Sequence, residues 1–160
     1  MLDPKDLRDD DLVRRGRVAL RDCKYKLAND LFAEYCDRQI RDEKPIAGAL
    51  LADYALAVGH MGDLREAAEI CLQGLAHERK NPALFAALAR VYHLSGARRK
   101  AVDTLDRGLA IAPNHPGLLA VQDELGIRRT PPIPFLPRDN PWNVWLGKVL
   151  DKFKPRRRLA

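Results

Sequence analysis

Residues 85–113, FAALARVYHLSGARRKAVDTLDRGLAIAP, repeat the pattern of residues 51–79, LADYALAVGHMGDLREAAEICLQGLAHER, at an offset of 34. Phe85 falls on Leu51, Leu88 on Tyr54, Ala89 on Ala55 and Tyr92 on Val58. Gly96 falls on Gly62, Ala101 on Ala67 and Leu105 on Cys71, and the run Gly108-Leu109-Ala110 falls on Gly74-Leu75-Ala76. A weaker copy lies in residues 11–36, at an offset of 39. There Leu12 takes the first large position, Gly16 the small one, and Leu20 lies near the tyrosine site. Lys24-Tyr25 falls at the turn, with Ala28 and Phe32 on the following segment. The five additional residues sit around Asp42 to Ile46, where a longer second helix ending before Pro45 absorbs them. A chain that repeats at this period builds by stacking one unit on the next.

The spacing has a physical reading. Small residues at Ala55 and Ala89, and at Ala67 and Ala101, let two helices approach closely while the large apolar positions fill the space between. Gly62 and Gly96 fall where the chain leaves a first helix, a place that favours a left-handed residue. Pro113 stops one helix, and Asn81-Pro82 supplies the corresponding break a repeat earlier. The composition agrees, since 46% of residues are apolar but only 6% aromatic, which favours packed helices over sheet. This pattern resembles the tetratricopeptide repeat family, in which each repeat is a pair of antiparallel helices. The resemblance implies an all-α, right-handed solenoid of antiparallel helix pairs over residues 9–127. Its repeats are expected at about 9–42, 48–81 and 82–115, with a capping helix over 116–127. RRTPPIPFLPRD, residues 128–139, carries four prolines and reads as a stiff linker, and 140–160 as a separate tail.

No catalytic constellation stands out. His60, His77, His93 and His115 lack metalloprotease spacing, and there is no phosphate-binding glycine loop or nucleophile elbow. The Asp9-Asp10-Asp11 run reads as the acidic first turn of a helix rather than a metal site. Cys23, Cys36 and Cys71 are odd in number and widely spaced, with no zinc or disulfide pattern. The chain is therefore expected to be no enzyme, with no cofactor and no metal. The acidic, polar beginning is not a signal peptide and no apolar run is long enough to span a bilayer, so a cytoplasmic location is expected.

The family resemblance further implies a protein or peptide partner held in a groove lined by the first helices. Carrying the inward positions over gives Val13, Arg17 and Arg21, then Ala52, Leu56 and His60, then Ala86, Arg90 and His93. The Lys and Asn clamp with which some members hold a terminal carboxylate is absent, its slots being Val13, Arg17, Asp53, Ala83 and Ala87. The groove is therefore expected to take an apolar segment with an acidic residue for Arg17 or Arg90.

The tail has its own pattern. Asn140-Pro141 is a helix start, after which Trp142, Trp145, Leu146, Val149, Leu150 and Phe153 fall on one helical stripe. Lys148, Asp151, Lys152 and Lys154 lie opposite, Pro155 ends the pattern, and Arg156, Arg157 and Arg158 follow. Residues 128–160 hold 9 basic and 2 acidic groups, while the rest of the chain is nearly neutral. A neutral body argues against nucleic acid as the partner. Three destinations compete for the stripe: its own solenoid as an intramolecular lid, an anionic membrane surface, or a second protein, including another copy through tail exchange. The sequence thus reads as an interaction adaptor or scaffold. The alternatives are a peripheral membrane protein anchored by its tail and an accessory subunit of an enzyme complex.

Overall fold

The computed structural model describes residues 7–127; the proline-rich linker and the tail lie outside the described residues. By its contacts the chain divides into two units, Met1–Gly126 and Ile127–Ala160, the first of which holds every described helix. These are α1 (Asp9–Arg21), α2 (Tyr25–Arg41), α3 (Gly48–Met61), α4 (Leu64–His77), α5 (Pro82–Leu94), α6 (Arg98–Ile111) and α7 (Pro116–Glu124). No strand occurs among the described residues. Each odd helix packs on the even helix that follows it in the pairs α1–α2, α3–α4 and α5–α6. The odd helices also pack side by side, α1 on α3, α3 on α5 and α5 on α7. The even helices close the stack, since α2 touches α3, α4 touches α5 and α6 touches α7.

Size matching holds each pair together. In the repeat register the small residue of the first helix answers the large residue of the second as Gly16 with Phe32, Ala55 with Cys71 and Ala89 with Leu105. Phe32, Ala55, Cys71, Ala89 and Leu105 are fully buried. The largest partner faces the smallest residue: a Cβ on Gly16 would lie 2.5 Å from the Phe32 ring. Ala28, Ala67 and Ala101 are buried to the same degree at the facing position. The same principle operates between repeats at Gly74, where a Cβ would meet Leu84 at 2.9 Å, and at Gly108, where it would meet Leu118 at 2.6 Å.

The turns follow the repeat too. Gly62 and Gly96 adopt φ of 107° and 74° after α3 and α5. The residue one repeat earlier is Cys23, which takes φ of 58° without being glycine. The Lys24 N–H reaches back to the Ala19 carbonyl just as the Ala97 N–H reaches Tyr92. Left-handed backbone is therefore imposed by the turn, and the first repeat tolerates a side chain there. The longer offset is taken up mostly within α2, which has 17 residues where α4 and α6 have 14. A second left-handed residue, Glu43 at φ 53°, then turns the chain toward α3.

Helix starts differ for a reason that the period exposes. The first helical positions of α3, α5 and α7 are Gly48, Pro82 and Pro116. Proline has no N–H to satisfy, whereas the Gly48 N–H donates to Glu78 Oε1 at 2.7 Å. Asn81 donates to the other Glu78 oxygen and accepts from the Ala83 N–H at 2.9 Å, so that one carboxylate fastens two helix starts. These two donors hold the Glu78 carboxyl below its ordinary value.

The N-terminal edge is sealed by polar contacts. Leu7 covers Leu12 and Leu31, and the Leu7 carbonyl accepts from Arg38 at 2.5 Å. Asp9 of the acidic run accepts from Gln39 at 2.9 Å and pairs with Arg38, while Asp11 pairs with Arg14 at 2.8 Å. Asp9 is thus spent on the junction of α1 with α2, and Asp11 on α1 itself.

The Gly16–Phe32 match predicts a rescue. Gly16→Ala should overpack the first pair at about 1–3 kcal/mol, against about 1 kcal/mol of helix propensity regained. Gly16→Ala with Phe32→Leu, which recreates the Ala–Leu pair of the third repeat, should melt higher than either single variant. Additive melting temperatures would show that the two side chains do not compete for one space.

Candidate functional site

The period aligns one groove position across four successive odd helices: Arg17, Leu56, Arg90 and Glu124. One helical turn from these lie Arg21, Asp53 and His60, and two turns from them lie Ala49 and Ala83. Arg17, Leu56 and Arg90 join these residues, with Leu20 and Tyr25, in lining a cavity of about 550 Å³ on the odd-helix side of the stack. Its middle is apolar and aromatic. The Tyr25 and His60 rings stack face to face, with centroids 4.3 Å apart and planes 10° from parallel.

Ion pairs flank this middle on both sides. Arg17 Nε donates to Asp53 Oδ2 at 2.8 Å, joining α1 to α3. Arg90 forks onto Glu124, with Nε donating at 2.9 Å and Nη2 at 2.6 Å, joining α5 to α7. The fork is the stronger geometry, because both guanidinium donors meet one carboxylate. Arg98 adds a second fastening by donating to the Leu125 carbonyl at 2.8 Å. The Arg21 side chain makes no ion pair or hydrogen bond among the described residues and is exposed.

Of the nine groove positions expected from sequence, Arg17, Arg21, Leu56, His60 and Arg90 line this cavity. Ala52 and Ala86 do not: they are 4% and 7% exposed. Ala52 belongs to the core formed by α3, α4 and α5, and Ala86 lies against Gly117 at the start of α7. Their smallness serves the close packing of neighbouring odd helices, and the open face is turned by about one residue, toward Ala49, Asp53 and Ala83. Val13 is half-buried against the core formed around Ala19, Phe32 and Leu50, and His93 is half-buried outside the cavity. The residue one period after His60 is Leu94, not His93. The tail positions Trp142, Trp145, Leu146, Val149, Leu150 and Phe153, and the basic Lys152, Lys154, Arg156, Arg157 and Arg158, lie outside the described residues.

Sequence reading missed Tyr25, placed there at the turn, and Glu124. The second was within reach, since Glu124 stands 34 residues after Arg90 and the period simply continues into α7. The arginines expected to await an acidic partner are instead already paired. Among the described residues no group of three His, Cys, Asp or Glu is arranged to hold a metal ion, and no helix is long and apolar enough to cross a membrane. Cys36 and Cys71 are buried thiols, pushed up to about 11 and about 12 by burial. They are core atoms rather than nucleophiles.

Burial pulls the His60 imidazole below its ordinary value of 6.5, the Arg90 charge adds to this, and Glu124 opposes it. His60 is therefore neutral near pH 7 and stacks as an uncharged ring. Because the unfolded chain holds that proton more tightly, the stability contributed by this group is full above pH 6.5 and falls as pH drops below it. A proton-resonance titration should give His60 a midpoint below 6.5. His60→Phe, which keeps a ring on Tyr25, should lessen the loss of stability between pH 6.5 and 5; an unchanged slope would assign that loss to other groups.

A sequence model described as the tetratricopeptide repeat matches residues 60–125. Comparison with curated proteins returns no match. Among solved structures, the tetratricopeptide domain of Arabidopsis OM64 superposes with a TM-score of 0.60 at 12% identity, covering 74% of this chain and 93% of that one. At that identity the likeness concerns the fold, and it extends the repeat architecture across the helices before residue 60. Residues 60–125 thus match the tetratricopeptide repeat, and the described helix pairs share the fold of such a domain.

Proposed function

We propose that this chain is a non-catalytic adaptor that binds a segment of another protein in the groove of its odd helices. The carrying observation is the cavity floor of Leu20, Leu56 and the stacked Tyr25–His60 pair, which is open, apolar and set between two charged walls. Such a floor gains by covering an apolar side chain, and the walls limit how a segment can lie. The fold supports the reading, since repeats of this kind serve as protein-interaction modules. In this reading the chain works in the cytoplasm, with Cys23, Cys36 and Cys71 as free thiols.

The amphipathic tail belongs to the same proposal as a docking element, on the strength of its sequence alone. Both tryptophans of the chain, Trp142 and Trp145, lie in it, so their emission reports the tail directly. Blue-shifted emission, unchanged by dilution and by anionic vesicles, is the result expected of an intramolecular lid. Water-like emission that turns blue only with vesicles would replace the lid with membrane attachment. A blue shift lost on dilution would replace it with exchange between copies.

The groove itself is tested by site-specific photocrosslinking. A photoreactive residue at Leu56 should yield partner adducts, and Tyr25→Ala should abolish them without lowering the melting temperature by more than a few degrees. The same residue placed at Leu72 on α4, which is half exposed and outside the cavity, should yield none. Adducts at position 72 alone would move the binding surface to the even helices.

A further inference from the structure

The groove holds three arginines, and two of them are engaged from within. Arg17 is held by Asp53 and Arg90 by Glu124, while Arg21, one helical turn past Arg17, lines the same cavity with no ionic partner among the described residues. Resting on the proposed groove, we infer that Asp53 and Glu124 set its specificity: they close Arg17 and Arg90 to polyacidic partners and leave Arg21 as the available cation among the described residues that line it, so that the ligand is a mainly apolar segment with a single carboxylate.

Competition for the guanidinium groups decides this. A ligand carboxylate reaching Arg17 must displace a bond already made at 2.8 Å, and one reaching Arg90 must break a two-pronged fork. It exchanges one charged hydrogen bond for another of the same kind and brings its own charge up against Asp53 or Glu124. Nothing is gained by either exchange. At Arg21 no such competitor stands, and a carboxylate there converts a solvated cation into a pair. Between the two walls, Leu56 and the neutral Tyr25–His60 stack reward apolar contact only. The position series Arg17, Leu56, Arg90 therefore alternates closed, open, closed along the stack. With Asp53 and Glu124 set against Arg17 and Arg90, the positive charge in excess is that of Arg21.

The test uses the full chain and two capped heptapeptides, GLALADG with one acidic residue and GLDLDDG with three, titrated at one fixed ionic strength. Binding is read from the Tyr25 and His60 ring resonances. The unaltered chain should prefer the one-acid peptide, and Arg21→Ala should weaken that peptide by about tenfold, the worth of one charged hydrogen bond. Asp53→Asn and Glu124→Gln should each strengthen the three-acid peptide by about tenfold and leave the one-acid peptide within about twofold. Both sites are surface ion pairs, so helical content and melting temperature should stay close to those of the parent and confirm that the variants fold. If the three-acid peptide binds the parent more tightly, or if neither neutralising variant changes it, the specificity proposal is overturned while groove binding stands. If neither peptide moves either ring in any folded variant, the groove reading itself falls.

Discussion

How closely two helices can approach is set by the smallest residue between them, and in this chain every other feature follows from that distance. At 16, 55 and 89 the first helix of each pair offers Gly, Ala and Ala, and at 32, 71 and 105 the second answers with Phe, Cys and Leu. The first pair shows the limit most sharply, because the space that a Cβ on Gly16 would need is already filled by the Phe32 ring. Close pairs then stack through Gly74 and Gly108, which admit Leu84 and Leu118 of the next odd helix. The consequence at the surface is that the odd helices run near enough for a side chain on one to bond a side chain on the next. Arg17 with Asp53 and Arg90 with Glu124 are products of that spacing.

The first and last described helices differ from those between them in a consistent way. The faces by which α3, α5 and α7 pack on the preceding repeat carry Leu50, Leu84 and Leu118, then Ala57, Val91 and Leu125, all buried. The same register in α1 reads Asp11 and Val18, and Val18 is 47% exposed among the described residues. Asp11 spends its charge on Arg14 within the helix. In α7 the position occupied by Ala55 and Ala89 becomes Asp123, which is exposed.

Most of the fold was legible from the 34-residue period, because it fixes which positions are small, which are large and where the chain turns. The period is a statement about packing, and packing is what it delivers. The groove was legible only in part, and the misses have physical causes. Ala52 and Ala86 looked like lining because small residues suit a ligand, but small residues suit helix contacts equally, and only the orientation of the helix decides between the two. Tyr25 stood at the turn in the sequence, yet α2 begins at it, and its ring lies on His60 of α3. Contacts that join different repeats leave no local signature. Cys23 made the opposite error available, since a left-handed turn without glycine hides from any pattern that looks for glycine.

The pairing of the groove arginines changes what their presence means. A count of charges would describe an attractive wall for acidic partners, whereas the geometry describes cations already in use. Exposed ion pairs contribute little to stability, about 0–1 kcal/mol in the median case. Arg17 and Asp53 are 51% and 28% exposed at their side chains, so their bond is not there chiefly to hold the fold. What such a pair does well is fix two side chains in one orientation and remove both from other uses. On that ground we propose that the charged walls of this groove are borders rather than contacts, confining a bound segment to the apolar strip between them, and that recognition passes to the two rings and to Arg21.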